Sequence, residues 1–574
     1  MNHSFVIDNS YYHARFPKTL VLAPHPDDEI NLSANLIHTC THTGGEVFVA
    51  FSNSGDWSLP AEVRFREAMA SLHILGVKDE NIFFMGYGDT WFSSKPEHMF
   101  TSEKEAVRSK AGHLQTYGCE GFADYSYQRR GEHSLYNATD FCRDLADLIW
   151  QIRPELIVCV DYDEHPDHRA LSLGFERALN RVLKDTPDYR PEVFKRLAYP
   201  LAYCAARDYS LNNASTKRPE VGAIDRYSGE IVGLNALQWE SRIRLPISRM
   251  AITGDFRRNL VAKALKCHRS QYIYGRVGRI LNGDEVYWRR RTDNAALTAT
   301  VDATSGDPRY VNDFQLINAT DLYAIPPVFD DYFWHPSRED TQKTIRFTWD
   351  KQTVSYLRFF GNVGGNGRIE CLSIRFDDGY FQETGPFPSN GAPVEIFLDT
   401  PHVIQTCTLS VKEYSGEEYG LAECEFYENA AYRSAIAPFI KISCSGDFVY
   451  RYYVKRNTAE HKLGLYAYGT ASKGATFHVI YGKSMICGDT LVFDKRDRTV
   501  VIRSELNDTN GELFDQVIIK RTVFLPVLDC LQRLKAICIE KWISLLRYRD
   551  ALARNLKSGG FLFTIKKIIS KRRS

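Results

Sequence analysis

Residues 18–30 read Lys-Thr-Leu-Val-Leu-Ala-Pro-His-Pro-Asp-Asp-Glu-Ile. Val21, Leu22 and Ala23 end a short apolar run of the kind that makes a buried strand. Pro24 and Pro26 then break the chain. His25, Asp27, Asp28 and Glu29 place one imidazole and three carboxylates within five residues. Ile30, Leu32, Ala34, Leu36 and Ile37 follow in a helical pattern. A strand, a polar corner and a helix in that order is where an open α/β sheet holds its ligands, beyond the carboxyl ends of its strands.

A second corner of the same design lies downstream. Leu156-Ile157-Val158-Cys159-Val160 reads as another buried strand and runs into Asp161-Tyr162-Asp163-Glu164-His165-Pro166-Asp167-His168, with a helix from about Arg169. Two such corners can face one another across a parallel sheet. Together they offer a His/Asp/His set for a divalent metal. A single His beside two aspartates is more simply a solvated loop or a helix cap, and the repetition carries the metal reading.

HPDDE at 25–29 and HPDH at 165–168 resemble the PIG-L/LmbE family of zinc-dependent N-acetylglucosaminyl deacetylases. The resemblance covers about residues 15–290 and implies a Rossmann-like doubly wound α/β sheet. It also implies Zn2+ as cofactor, with His25, Asp28 and His168 as metal ligands and one position left for water. Asp27 then corresponds to the general base. His165 corresponds to the residue that stabilises the oxyanion as an imidazolium, and Asp167 to the group that orients that ring. Arg64 and Asp89 match places where the family contacts sugar hydroxyls; a surface ion pair with Glu67 and a loop cap are the plainer readings. His268 is either functional or a packed helix histidine. Some family members carry a tyrosine two residues before the first His of the second motif, whereas this chain has Asp163 there and Tyr162 one residue further back.

Working outward, Glu46 to Phe51 supplies a second strand, residues 61–76 a helix stopped by Gly76, and Ile82 to Gly86 a third strand. The segment 93–134 lacks a clear period and reads as a long insertion or lid over the site. Helices at 137–152 and 169–184, a strand within 195–205, the closing helix at 263–271 and a final strand at 285–288 complete a deacetylase domain over 1–291. This alternation predicts a parallel doubly wound sheet.

At 574 residues the chain is too long for one core. From about 292 short alternating strands replace the helical pattern. Residues 292–425 read as a β-sandwich, with 354–359, 369–376 and 394–398 as strands and Asp377-Asp378-Gly379 as a hairpin turn. The stretch 304–313, with Trp334 and Pro336, loosely resembles discoidin-like, galactose-binding sandwiches. Gly361 to Gly367 precedes a strand rather than a helix, so it is a loop and not a phosphate cradle. Residues 426–525 form a further β-rich unit, with strands at 448–454, 463–468 and 499–503. This half either binds glycan through its aromatic residues or only shapes the enzyme.

Residues 526–574 hold 12 Lys/Arg against 3 Asp/Glu, a net of +9, while the other 525 positions carry 60 against 68. This basic amphipathic helical tail, with Trp and Phe, suits an anionic membrane surface or packs on its own sandwich. The whole-chain charge of +1 argues against a nucleic-acid partner. The 13 cysteines form no CxxC pair, the amino terminus is polar and no run of 18 apolar residues exists. The expected localisation is therefore cytoplasmic, or peripheral at the inner face of the membrane. The expected function is a zinc-dependent hydrolase that removes the N-acetyl group from an amino sugar or glycolipid, as an intermediate of cell-surface glycan biosynthesis. The alternatives are a non-catalytic glycan-binding scaffold, or hydrolysis of another amide in a thiol-glycoside or antibiotic intermediate.

Overall fold

The first apolar run becomes β1 (Thr19–Ala23), every residue of it buried, and α1 (Asp28–His42) leaves its polar corner. β2 (Val47–Asn53), α2 (Ala61–Leu75), β3 (Ile82–Tyr87), α3 (Tyr125–Arg130), α4 (Ala138–Ile152), β4 (Leu156–Val160), α5 (Pro166–Asp185) and β5 (Glu192–Arg196) follow. β6 (Ile243–Pro246) and β7 (Asp284–Arg290) close the set. The computed structural model describes residues 9–549 apart from 91–98, 163–164, 199–214, 217–238, 253–257, 272–282, 317–318, 322–327, 330–331, 364–365, 390, 472, 509–510 and several positions of 532–547.

The seven strands make one sheet in the order β3-β2-β1-β4-β5-β7-β6. The first five named are parallel, with Leu20 beside Phe48 on one side and Ile157 on the other. β1 and β4 are neighbours at the point where the order reverses, so both polar corners emerge side by side at one edge. The doubly wound α/β expectation holds over these strands. β7 instead runs antiparallel to β5 and to β6, a departure that strand-helix alternation could not announce.

Local chemistry sets the helix ends. Gly76 takes φ +89° and returns its N–H to the carbonyls of His73 and Leu72, which stops α2 where the sequence placed the stop. Asn137 caps α4 through Asp140 N, and His165 caps α5 through Asp167 N with Pro166 at the first turn. Asp27 is the N-cap of α1 at φ +147°, and its side chain makes no capping bond.

Two boundaries fall differently from the expectation. The strand expected within 195–205 is β5 at 192–196, and residues 199–205 lie outside the described part. The helix expected at 263–271 is Leu260–Leu265, followed by a turn that carries His268.

The second half is β, as expected. Strand Thr344–Gly361 pairs with Val394–Ser415 and Leu421–Tyr427, and Arg368–Phe376 with Val394–Ser415. Their core holds Trp334, Phe347, Leu357, Phe359, Leu409 and Phe426. The Asp377–Gly379 turn joins Arg368–Phe376 to the short strand Phe381–Glu383, with Gly379 at φ +96°. The 448–454 stretch is not one strand. Asp447–Phe448 pairs with Phe439–Cys444, and Arg451–Lys455 runs parallel to Gly511–Thr522 in another sheet. Phe439 and Tyr468 of this last unit join the core of the first domain.

Candidate metal centre and active site

The polar corner after β1 and the one before α5 meet in a buried cluster. Asp28 Oδ2 lies 3.2 Å from His25 Nδ1 and 3.2 Å from His168 Nε2. Tetrahedral zinc with N and O bonds of about 2.0–2.1 Å separates its ligand atoms by about 3.3 Å. The two distances from Asp28 have that spacing. His25 and Asp27 are nearly buried, and His168 is fully so. Asn31, one helical turn beyond Asp28, donates from Nδ2 to its other oxygen at 3.0 Å and fixes that carboxylate.

Among the described residues, two three-residue groups have ligand atoms within 4.8 Å of one another, and neither is the expected set: His25, His165 and His168, and His25, Asp89 and Asp167. His165 is thus within reach of the same point. Its tautomer argues against ligation. Nδ1 accepts the Asp167 backbone N–H at 3.2 Å, so the neutral ring carries its proton on Nε2. Burial, and then the facing His168 and His25 rings, push its pKa well below the ordinary value, which keeps it neutral. A ring held neutral, with its proton on Nε2, departs from the imidazolium expected at this position.

Asp167 acts differently from the expectation. Its carboxylate lies 3.0 Å from His25 Nε2, against 3.8 Å from His165 Nδ1, and accepts the Thr90 N–H at 3.1 Å. It orients His25, while its backbone, not its side chain, orients His165. For His25, burial alone would lower the pKa. Hydrogen bonds to Asp167 and Asp28, with the Asp89 charge, override it and hold the pKa well above the usual value. Asp28 is held well below the carboxylate range despite burial, first by the charge of His168 and then by its hydrogen bonds.

Arg64 is no surface ion pair. Its guanidinium is buried and donates to the Pro26 carbonyl at 2.6 Å and to Asp27 Oδ1 at 3.0 Å. Glu67 instead accepts from Ser270. Asp89 does cap a loop, accepting from Gly55 N and Trp57 N, yet one of its oxygens is 3.8 Å from His25 Nε2. Burial leads the causes that raise its pKa. His268 is a packed histidine, fully buried and 2.6 Å from Glu29 Oε1. Asp163 lies outside the described residues. Sequence reading missed Asn31 and Thr90. Asn31 was within reach, three residues past Asp28 on a helix, whereas Thr90 acts through its backbone and left no signal.

Part of the 93–134 segment borders this centre. Lys110 N donates to the Asp89 carbonyl at 2.8 Å, and the Tyr117 hydroxyl to Asp56 Oδ2 at 2.6 Å.

No curated protein sequence matches the chain. Among solved structures, N,N'-diacetylchitobiose deacetylase from Pyrococcus horikoshii is 21% identical, covering 32% of this chain and 56% of its own, with a TM-score of 0.19. The teicoplanin deacetylase Orf2 is 18% identical over 48% of this chain and 100% of its own, with a TM-score of 0.23. The family 32 CBM from C. perfringens NanJ is 18% identical over 23% of this chain and 93% of its own, with a TM-score of 0.18. The family model described as GlcNAc-PI de-N-acetylase, PIG-L, matches residues 20–179. That span holds nearly all of β1 to β4, both polar corners and the whole buried cluster.

Proposed function

We propose that this protein is a zinc-dependent hydrolase that removes the acetyl group from the nitrogen of an N-acetylated amino sugar. The observation that carries the reading is Asp28 Oδ2 set 3.2 Å from an imidazole nitrogen of each corner, with Asp27 beside it at the N-cap and its side chain making no capping bond. His25, Asp28 and His168 would hold the ion. Bound zinc supplies Lewis acidity to the acetyl carbonyl and to the attacking water.

The chain's own groups do the rest. Arg64 fixes the Asp27 carboxylate through Oδ1. Asp27 takes a proton from the water and returns one to the amide nitrogen as the C–N bond breaks, releasing acetate and a free amine. The Nε2–H of His165 donates to the acetyl oxygen as negative charge develops there. Asp167 and Thr90 keep the His25 ring in place.

The substrate class is an amino-sugar conjugate from cell-surface glycan biosynthesis, lipid-linked or nucleotide-linked. The proposed location is the cytoplasm, at the inner face of an anionic membrane. Exposed apolar residues of the tail, Leu531, Leu534, Trp542 and Leu545 among them, and the +9 charge of 526–574 support it. The domain limits 1–291, 292–425, 426–525 and 526–574 belong to the same proposal.

Zinc analysis of the purified protein, paired with an acetate-release screen over N-acetylglucosamine conjugates, tests the function. Stoichiometric zinc with acetate release is expected. Metal-free protein that stays inert after zinc addition, with every conjugate tried, would leave the site without its reaction.

A further inference from the structure

α1 is not one continuous helix. Ser33 breaks it at φ −155° and ψ 26°, which leaves residues 28–32 as a short leading segment and 34–42 as a second one. The leading segment carries the metal chemistry, with Asp28 at its first position and Asn31 holding Asp28 Oδ1. A run this short has too few internal hydrogen bonds to hold its own direction in space. What fixes it has to come from its two ends.

At the front, Asp28 N donates to the His25 carbonyl at 3.0 Å. At the back, the partners stand on β7, the strand that runs antiparallel to β5. Glu285 accepts the N–H groups of Asn35 and Leu36, each at 2.9 Å, and the Asn35 side-chain amide at 3.2 Å. Asn35 and Leu36 are the second and third residues after the break, where a helix start leaves N–H groups to an outside acceptor. A side chain of the preceding residue normally supplies that acceptor. Here a carboxylate 250 positions from Asn35 does so. Tyr287, two residues along β7 and so on the same face, sets its hydroxyl 2.9 Å from Glu285 Oε2 and 3.1 Å from the carbonyl of Leu32, which ends the leading segment. Both side chains are buried, and Arg196 stands 4.0 Å from Glu285.

Leverage makes these contacts matter. Asp28 precedes Ser33 by five residues, about 7.5 Å along a helix, so a rotation of about 10° at the break swings it by about 1.3 Å. A metal ligand has to sit within about 0.2 Å of its bond length. We propose that Glu285, aided by Tyr287, is a positioning residue for the metal centre: by capping the restart of α1 it sets the direction of the segment that brings Asp28 to His25 and His168. The inference rests on the metal reading of that centre and not on the reaction.

The zinc affinity of the full chain, and the visible absorption of its cobalt(II) form, report on Asp28 without reference to activity. Glu285→Gln keeps the size of the side chain and turns one acceptor into a donor that meets an N–H group. It should raise the zinc Kd by about tenfold or more and shift the cobalt band. Tyr287→Phe, which leaves the carboxylate in place, should move both in the same direction by less. Leu409→Ala, a cavity in the core of the sandwich, should lower the urea midpoint and leave Kd and band unaltered. Wild-type values in a folded Glu285→Gln overturn the proposal. So does a loss of affinity in Leu409→Ala as large as that in Glu285→Gln, because affinity would then follow overall stability. Where Glu285→Gln does not fold, Tyr287→Phe decides, and wild-type values there overturn the proposal. A wild type that takes up neither zinc nor cobalt overturns the metal reading and this proposal together, whereas every other outcome leaves that reading standing.

Discussion

At the scale of single residues, the two imidazoles of the HPDH corner are separated by one hydrogen bond. His165 spends its Nδ1 lone pair on a backbone N–H, whereas His168 turns Nε2 to Asp28. His168→Ala should therefore abolish zinc binding, while His165→Ala and Asp27→Asn retain zinc and lose turnover by at least about a hundredfold. Metal content by atomic absorption beside acetate release separates these outcomes, and zinc loss in His165→Ala would make that ring a ligand. His38, 8% exposed on α1, gives a second prediction. Burial, and then the neighbouring His42, lower its pKa to about 4. The unfolded chain then binds a proton that the folded one refuses, so stability falls as pH drops from about 6.5 toward 4. Between pH 7 and pH 5 the loss is about 2 kcal/mol. A urea midpoint that falls less over that range in His38→Gln than in the wild type would show it. Most of the site is legible in the sequence because both corners are short and each packs its chemistry within five residues. The grip of Asp167 on His25 is not, since it joins positions 142 apart through a contact only the sheet creates.

Among elements, the strands that read clearly are those buried on both faces, such as β1 and β4, whose apolar runs admit no other use. Reading fails where a pattern continues across a change of sheet. The run from Phe448 to Val454 keeps its aromatic and apolar character, yet the chain leaves one sheet at Phe448 and enters another at Arg451. The kink at Ser33 inside α1, with φ −155°, is equally silent, because a serine there fits the helical spacing. Helix packing also hides in the sequence at Gly174. A Cβ at that position would sit 2.5 Å from Cε1 of the Phe141 ring on α4, a fully buried side chain. Glycine lets α5 approach α4 closely, and α5 is the helix that begins with the His165 corner. Gly174→Ala should cost about 1–3 kcal/mol through overpacking, despite the better helix propensity of alanine. Urea unfolding would show a lower midpoint at an unaltered slope. A rise in the midpoint would mean that Phe141 can move aside without loss.

For the whole molecule, charge and apolar surface are both concentrated at one end. Described positions between 525 and 549 are helical, and Val527, Leu528, Leu531, Leu534, Trp542, Leu545 and Tyr548 are 37–68% exposed. With Cys538 they recur every three or four residues, so one helix face is apolar and open. No helix among the described residues is long and apolar enough to cross a membrane. A face of this kind on a segment of net charge +9 is matched by an anionic bilayer, where each surface cation contributes about 1 kcal/mol and the apolar side chains enter the headgroup boundary. On the proposed membrane reading, opposite charge would carry the encounter and burial would hold the complex, so both should matter. The full chain should sediment with vesicles rich in phosphatidylserine at physiological salt. It should do so weakly with phosphatidylcholine alone, and lose much of its binding as salt rises. Removing 526–574 should leave the protein in the supernatant with an unaltered kcat/KM on a soluble sugar. Sedimentation that survives the truncation would move the contact to another surface. Binding indifferent to lipid charge would leave the apolar face as the whole cause, and the basic residues as a consequence of something else.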